Sequence, residues 1–395
     1  KMKILIADLF SPAGINTLEE EKHEIIYDKN LSGAKLTEAL AAHKPDVLIV
    51  RSTKVTADDI DANAGLTLII RAGAGYDTID VAHASSRGVY VANCPGKNAT
   101  AVAELTMGLI ISIDRRLGEN YKLQKEGKWA KGLFANCLGL KGRTLGLIGF
   151  GNIAQRVAKR ALAFEMKVIA YNRSPKTMEG VEVVSTIDEV LAEADIVSLH
   201  VPATKDTKNL VNKEFLGKMK PDGVLINTAR GTNVVEEDLL AHLEANPNFW
   251  FGTDVLNGEP SAKECDWEHP LGMHPRVYGT HHIGASTKQS EDEIGEETVR
   301  ICQVFASTGS VDDTNWVNRD RTKAKHTLVV KAKRTPAVYG EVFGLVAAHG
   351  WTIGESEALM CEGGVAVILK IHGEGPADVT EKLAAHESVL SASVS

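Results

Sequence analysis

The chain has 395 residues, of which 44% are hydrophobic and 24% charged, a composition that favours a folded globular protein over a disordered one. Its 44 basic and 52 acidic side chains give a net charge of −8, which disfavours nucleic acid and anionic membranes as main partners. No apolar run approaches the roughly 20 residues of a membrane helix. The five scattered cysteines predict neither a disulfide framework nor a metal site. We therefore expect a cytoplasmic protein without a metal.

Strand-like and helix-like segments alternate in the first part of the chain. Brief β-branched apolar runs predict buried strands at residues 4–7, 47–50, 68–70 and 89–92. Helical candidates separate them, at residues 14–20, 36–42, 57–61 and 81–87. This alternation predicts a parallel sheet with helices on both faces.

A long helical pattern from residue 100 to about residue 125 leads into a second alternating block. Its predicted strands lie at residues 144–148, 168–171, 196–199, 224–227 and 249–253. Its predicted helices lie at residues 153–163, 188–193 and 236–244. A further helix is predicted from residue 290 to 306, and the polar residues 307–321 read as a linker.

The C-terminal segment has a different order of elements. Strands are predicted at residues 327–331, 352–359, 365–371 and 390–394, with helices at residues 337–349 and 377–386. The resulting β-α-β-β-α-β order is that of a ferredoxin-like unit. The predicted fold class is thus α/β, with two doubly wound parallel-sheet domains (Rossmann/flavodoxin-like) and a C-terminal ferredoxin-like α+β domain.

A glycine-rich turn at residues 146–154 follows a predicted strand and opens a predicted helix. In this context Gly149 permits a sharp turn, Gly151 lets the backbone approach a pyrophosphate, and Ala154 keeps helix and sheet close. The first amides of the helix, from Asn152 and Ile153 onward, would then meet the anion. The turn therefore predicts a dinucleotide site for NAD or NADP.

The next strand ends in Asn172 and Arg173, where an NAD site usually places a carboxylate that binds the ribose hydroxyl. Without that carboxylate a 2′-phosphate meets no like charge, and a guanidinium could pair with it. Asn172 could equally bind a ribose hydroxyl while Arg173 stays in solvent. The choice between NAD and NADP stays open.

Three polar side chains follow successive strand ends of the second block, where open α/β sheets bind their ligands. They are Arg230, Glu259 and His282. Histidine exchanges a proton near neutral pH, and a neighbouring carboxylate would orient its ring and stabilise the imidazolium. Arginine presents a permanent charge in a fork that suits a carboxylate. Together they predict a hydride-transfer enzyme acting on a hydroxy acid.

Four stretches resemble the D-isomer-specific 2-hydroxyacid dehydrogenases: residues 149–154, Asn-Thr-Ala-Arg-Gly at 227–231, Asp-Val-x-x-x-Glu-Pro at 254–260 and His-Ile-Gly-Ala-Ser at 282–286. The resemblance covers residues 1–320. It implies that Arg230 binds the substrate carboxylate and carbonyl, that Glu259 bonds His282, and that His282 is the acid and base. The family commonly has proline where this chain has His281.

The resemblance also implies the contacts of the two ligands. Those expected for the dinucleotide are Ala74, Gly149, Gly151, Asn152, Ile153, Asn172, Arg173, Val201, Pro202, Thr228, Ala229, Arg230, Asp254, His282, Gly284 and Ala285. Those expected for a small anionic 2-hydroxy acid are Arg51, Ser52, Lys54, Arg71, Gly73, Ala74, Asn98 and Arg230.

The loops at residues 50–56, 71–77 and 93–98 resemble those of family members that oxidise 3-phospho-D-glycerate. In these members the first loop meets the phosphate, and the second, a glycine-rich turn, meets the carboxylate. The alternative is that these loops are ordinary turns whose charged side chains lie in solvent and bind no substrate. A cleft rich in Arg51, Lys54 and Arg71 would still attract a phosphorylated acid in an acidic protein.

The C-terminal unit resembles an ACT regulatory domain. Such units pair and bind amino acids, but here Arg334-Thr335-Pro336-Ala337 replaces the usual Asn-x-Pro-Gly turn, so the unit could serve assembly alone. The implied domains are residues 1–96 with 287–320 for substrate, 97–286 for the dinucleotide and 321–395 for the ACT-like part. A homodimer or homotetramer is expected.

The leading hypothesis is NAD- or NADP-dependent oxidation of 3-phospho-D-glycerate to 3-phosphohydroxypyruvate, the opening step of serine biosynthesis. Reduction of glyoxylate or hydroxypyruvate is the alternative within the family. A non-catalytic dinucleotide sensor is the alternative of another class, although a sensor needs no proton relay such as Glu259 and His282.

Overall fold

The structure, a computed structural model, describes residues 1–260, 264–321 and 324–395. The chain divides into two compact units, Lys1–Asn318 and Arg319–Ser395. The first unit holds two parallel sheets, and the second holds a separate antiparallel sheet. The α/β class predicted from the alternation of elements is confirmed for the first unit.

The first sheet has the order β2-β1-β3-β4-β5 and is parallel throughout. Its strands are β1 (Lys3–Ile6), β2 (Glu24–Tyr27), β3 (Val47–Val50), β4 (Leu68–Arg71) and β5 (Tyr90–Asn93). The helices between them are α1 (Pro12–Glu20), α2 (Ala34–His43), α3 (Ala57–Asp61) and α4 (Val81–Ser86). Alternate residues of β1 and β3 enter two different apolar clusters, so both faces of this sheet are buried.

Two helices, α5 (Ala99–Arg115) and α6 (Leu117–Lys125), lead out of the first sheet. The prediction of one long helix here is wrong, because Arg116 lies between them in the left-handed conformation, with φ +50°. That conformation ends a right-handed helix. Helix α5 is buried along most of its length and packs against the second sheet.

The second sheet has the order β12-β11-β10-β9-β6-β7-β8, again all parallel. Its strands are β6 (Thr144–Ile148), β7 (Lys167–Tyr171), β8 (Val181–Val184), β9 (Ile196–Leu199), β10 (Val224–Asn227), β11 (Trp250–Thr253) and β12 (Val277–Gly279). Its helices are α7 (Asn152–Ala163), α8 (Ile187–Glu193), α9 (Lys213–Lys218), α10 (Glu236–Ala245) and α11 (Pro270–Met273). The order reverses between β6 and β9, and the carboxyl ends of strands at such a point form the ligand crevice of doubly wound sheets.

Helix α12 (Lys288–Thr308) returns to the first sheet, where its apolar face joins the cluster around β1 and β4. Asn315 then donates to the carbonyl of Asn93 at the end of β5. The return places residues that follow the second sheet beside the first, and the assignment of this part of the chain to substrate binding stays a prediction. The exact bounds proposed for that part stay a prediction.

The second unit folds in the predicted β-α-β-β-α-β order. Its elements are β13 (His326–Lys333), α13 (Val338–Ala348), β14 (Thr352–Met360), β15 (Ala366–Glu374), α14 (Val379–Ala384) and β16 (Val389–Val394). The sheet has the order β14-β15-β13-β16, with antiparallel pairs throughout. Alternate residues of β13 and β15 pack against α13 and α14, so one face of the sheet forms the core.

Where it is described, the chain has no helix with the length and apolarity needed to cross a membrane.

Candidate active site

His282 and Glu259 form the central pair of the site. The ring nitrogen Nδ1 of His282 donates to Oε2 of Glu259 at 2.6 Å, and Oε1 of Glu259 accepts from the amide of Leu256 at 2.8 Å. The bond from Glu259 raises the pKa of His282, although partial burial opposes this rise. Burial raises the pKa of Glu259, but the bond and charge of His282 outweigh it and lower that pKa below its ordinary value. The ring can therefore hold a proton near neutral pH beside an ionised carboxylate.

The loop that carries His282 is held by the buried carboxylate of Asp254. Its Oδ1 accepts from the Thr280 hydroxyl at 2.6 Å and from the Ile283 amide at 2.9 Å, and its Oδ2 accepts from the Gly284 amide at 2.7 Å. His282 has φ +52°, a left-handed conformation that is strained for most residues. These bonds fix the turn and thereby fix the direction of the imidazole.

Arg230 follows β10 and is held on both flanks. Its Nη2 and Nε donate to the two oxygens of Asp77 at 3.0 and 3.4 Å, and its Nη1 donates to the Ala229 carbonyl at 2.8 Å. The buried Asn227 side chain donates to the Arg230 carbonyl and accepts from the Ala229 amide, which shapes the turn. Because Asp77 follows β4, this ion pair joins loops of the two sheets. The predicted Arg230, Glu259 and His282 thus share one site, since the charge of Arg230 acts on the titration of both other groups.

Arg71 and Asn98 present polar atoms for which the described residues offer no partner. Arg71 Nε and Asn98 Oδ1 are buried without a hydrogen bond. Burial, then the charges of Arg230 and Arg51, lower the pKa of Arg71. A buried polar atom without a hydrogen bond lowers the stability of the folded protein unless a ligand or a water molecule binds to it. Both residues were predicted to bind substrate.

The Arg51 loop is already engaged with carboxylates of the protein. Asp8 accepts from the amides of Arg51, Ser52 and Thr53 at 2.7 to 3.0 Å and from the Ser52 hydroxyl at 3.1 Å. The guanidinium of Arg51 contacts Glu291 at 3.0 Å. The loop predicted to meet the substrate phosphate therefore already binds a carboxylate of the protein through its amides.

The other predicted substrate residues differ in surroundings. Lys54 is exposed and lies in a surface pocket that also includes Asp77. The Gly73 amide donates to the Arg71 carbonyl, and the Ala74 carbonyl accepts from the Asn93 side chain at 2.6 Å. Their contacts with substrate stay predictions.

The glycine turn fits a dinucleotide. Gly149 has φ +87°, and a Cβ there would lie 2.4 Å from the His200 carbonyl oxygen, so the turn requires glycine. A Cβ on Gly151 would meet nothing within 4 Å, which leaves the space above the turn open. Helix α7 begins at Asn152 without a side-chain cap, so its first amides, including that of Ile153, are available to an anion.

Asn172 joins this turn to the loop after β7. Its Oδ1 accepts from the Phe150 amide at 2.9 Å, and its Nδ2 donates to the carbonyl and hydroxyl of Ser174. Arg173 is 86% exposed and contacts Asp206 at 3.5 Å. Neither residue is engaged in a way that decides between NAD and NADP.

The remaining predicted dinucleotide residues lie in the loops that follow strands β9, β10 and β12 of the second sheet. The side chain of Val201 lies against the Gly149 turn, and Pro202 follows it. Thr228 is buried and shares a hydrogen bond with Thr106 of α5 at 2.9 Å. The Ala285 carbonyl accepts from the Thr287 amide just before α12.

Three supporting residues were missed at the level of sequence. Asp8 lies two residues after β1 and Asp77 lies in the loop that follows β4, so the strand-end argument applied to Arg230 could have found them. His200 lies half-buried beside the glycine turn with its Nδ1 atom buried, and burial of the ring lowers its pKa to about 3, so it stays neutral. No pattern in the sequence marks that histidine. Across residues 1–260, 264–321 and 324–395 there is no group of acidic, histidine or cysteine side chains able to hold a metal ion.

Comparison with known proteins places this geometry in a family. Residues 107–284 match the model of the D-isomer specific 2-hydroxyacid dehydrogenase NAD-binding domain. The chain is 45% identical over 266 residues to a hydroxypyruvate reductase of Thermotoga maritima, covering 67% of this chain and 85% of that protein. It is 38% identical over 299 residues to a D-3-phosphoglycerate dehydrogenase of Methanocaldococcus jannaschii, covering 74% of this chain but only 55% of that relative.

The structure also resembles the NAD⁺-bound 3-phosphoglycerate dehydrogenase of Entamoeba histolytica, with TM-score 0.67 and 30% identity over 81% of this chain and 99% of that one. Fold and site define a dinucleotide-dependent oxidoreductase that acts on a CH–OH group. The chain belongs to the D-isomer specific 2-hydroxyacid dehydrogenase family.

Proposed function

We propose that the protein interconverts 3-phospho-D-glycerate and 3-phosphohydroxypyruvate, as a D-3-phosphoglycerate dehydrogenase does. The observation that carries this proposal is the group of three guanidinium groups in which the charges of both Arg230 and Arg51 act on the largely buried Arg71. Three cations at one site suit a substrate that has both a carboxylate and a phosphate. A cavity of about 620 Å³ beside Arg51 offers room for the distal group.

In the proposed reaction Arg230 binds the carboxylate and polarises the C2 carbonyl. His282, held by Glu259, takes the hydroxyl proton in oxidation and returns it in reduction. The turn at Gly149 and Gly151 and the first amides of α7 would hold the dinucleotide, whose nicotinamide accepts or supplies the hydride. Whether the cofactor is NAD or NADP is part of the proposal to be tested.

Hydroxypyruvate or glyoxylate reduction is the second candidate. It is favoured by Glu291 and Asp8, which place two carboxylates on the Arg51 loop and oppose a second anion there. The similarity to the Thermotoga maritima reductase supports the same reading.

Two substrates that differ only in the phosphate separate these candidates. We expect kcat/KM for reduction of 3-phosphohydroxypyruvate to exceed that for hydroxypyruvate by about tenfold or more, the worth of one charge-assisted bond. Arg51→Gln should remove most of this preference. Arg87→Gln is the matched control, because Arg87 pairs with Asp61 on an exposed surface. Equal use of both substrates by the unaltered enzyme would reject the phosphorylated substrate.

We further propose that residues 321–395 form an ACT-like unit and that the protein is a homo-oligomer. The element order and the sheet order β14-β15-β13-β16 support the first part. Strand β14 is an edge strand whose residues are nearly all exposed, which suits pairing with another chain.

A further inference from the structure

The ion pair between Asp77 and Arg230 has a geometry that bears on substrate binding. A guanidinium has five N–H donors. Asp77 uses the one on Nε and one on Nη2, and the Ala229 carbonyl uses one on Nη1. Within the described part of the chain, one donor on Nη1 and one on Nη2 are left. These two remaining donors, one on each terminal nitrogen, are available to a ligand carboxylate.

The local backbone is shaped for this pair. A Cβ on Gly75 would lie 2.0 Å from Arg230 Nη2 and 3.1 Å from Asp77 Oδ1. No other residue could occupy position 75 without displacing the arginine. Glycine at this position therefore lets Arg230 lie directly over the turn that follows β4.

The pair also places a negative charge beside two positively charged side chains of the site, Arg71 and Arg230. Arg71 and Arg230 repel each other, while the charge of Asp77 acts in the opposite sense on Arg71. Burial raises the pKa of Asp77, but the bonds and charge of Arg230 outweigh this and keep it below the ordinary value. Asp77 thus stays ionised over the working range and offsets the repulsion between the two cations.

We propose that Asp77 is a positioning residue, which holds one edge of Arg230 so that its two remaining donors face the substrate carboxylate. The inference rests on the proposed role of Arg230 in carboxylate binding. It adds a residue of the first sheet to the machinery that the second sheet provides.

Asp77→Ala should raise KM for the 2-oxo acid by about tenfold to a hundredfold, the worth of a charge-assisted hydrogen bond, and should change kcat by much less. Asp77→Glu, which keeps the charge, should recover part of this loss. Added formate should partly restore the alanine variant, because it replaces the missing carboxylate. Asp58→Ala is the matched control, since Asp58 is exposed in the same surface pocket.

In an Arg230→Lys background, Asp77→Ala should have little further effect on KM. Lysine has no guanidinium for Asp77 to hold, so the contact through which Asp77 acts is already lost. The proposal is overturned if Asp77→Ala leaves KM unchanged, or if neither glutamate nor formate recovers the loss. It is also overturned if the two substitutions are additive. KM and kcat of each variant are compared with those of the unaltered enzyme, using the 2-oxo acid that the unaltered enzyme uses best. The identity of that acid tests the proposed function separately.

Discussion

Two sides of the site differ in how completely the protein satisfies its own polar groups. The proton-transfer side (residues 227–231, 254–259 and 280–286) is assembled: Asp254 accepts three bonds and both oxygens of Glu259 accept one. The anion side (residues 51–54, 71–77 and 93–98) has two buried atoms, Arg71 Nε and Asn98 Oδ1, that make no hydrogen bond to any residue the structure describes. A relay needs fixed geometry before substrate arrives, whereas recognition groups reach their partners only in the complex.

This difference explains why the reaction class is easier to establish than the substrate. The relay can be read from bonds that already exist. The anion side shows cations together with competing carboxylates, Asp8 and Glu291. The preference of this side for a phosphorylated or an unphosphorylated substrate therefore depends on the balance between its cations and carboxylates. Substrate binding itself would change that balance.

The strongest test of the proton-transfer side is His282→Asn. Asparagine tolerates the left-handed φ of +52° better than other residues, so the loop should keep its shape. We expect kcat/KM to fall by about a thousandfold, within the range of lost acid–base catalysis. The dissociation constant of the reduced dinucleotide, from a fluorescence titration, should stay within about twofold, because α7 and the glycine turn are untouched.

His281→Asn is the control for this substitution, since His281 is the adjacent exposed histidine. It should leave turnover nearly unchanged. If His281 rather than His282 proves essential, the proton relay described for the two sides is wrong.

Glu259→Gln tests whether the pair is tuned as the geometry indicates. The bond from Glu259 raises the pKa of His282, so the neutral amide should let that pKa fall. Oxidation needs the neutral ring and is lost as pH falls, so its acidic limb should move to lower pH. Reduction needs the imidazolium and is lost as pH rises, so its alkaline limb should also move to lower pH.

At mildly alkaline pH the reductive rate of Glu259→Gln should therefore drop by about tenfold or more, because less of the acid form remains. Full pH profiles of kcat/KM in both directions give the measurement. Profiles that keep both limbs in place would show that Glu259 only orients the ring.

Most of the sheet architecture could be predicted from sequence because central strands such as β3 and β9 are short, continuous apolar runs buried on both faces. Strands β2 and β8 were missed. Each lies at a sheet edge, has no fully buried residue and contains a glutamate among its four residues. The break between α5 and α6 was missed because one left-handed arginine leaves no mark in the hydrophobic pattern.

The same contrast holds for the site. Arg230, Glu259 and His282 could be predicted because each follows a strand end within a recognisable motif. The pairing of Asp77 with Arg230 joins residues 153 positions apart, and the bond of Arg51 to Glu291 spans 240. Such contacts depend on how segments far apart in the chain pack together, which no local pattern encodes.

Arg173 lies on neither side of the site, so changing it should leave both sides intact. Its guanidinium is 86% exposed and pairs loosely with the exposed Asp206. A 2′-phosphate there would gain one screened contact, worth at most about 1 kcal/mol. Arg173→Ala should therefore raise KM for NADPH by about fivefold or less and leave KM for NADH and the preference between 2-oxo acids unchanged. Equal KM changes for the two cofactors would exclude Arg173 from 2′-phosphate recognition, and the choice of cofactor would then lie with Asn172 and the turn it supports.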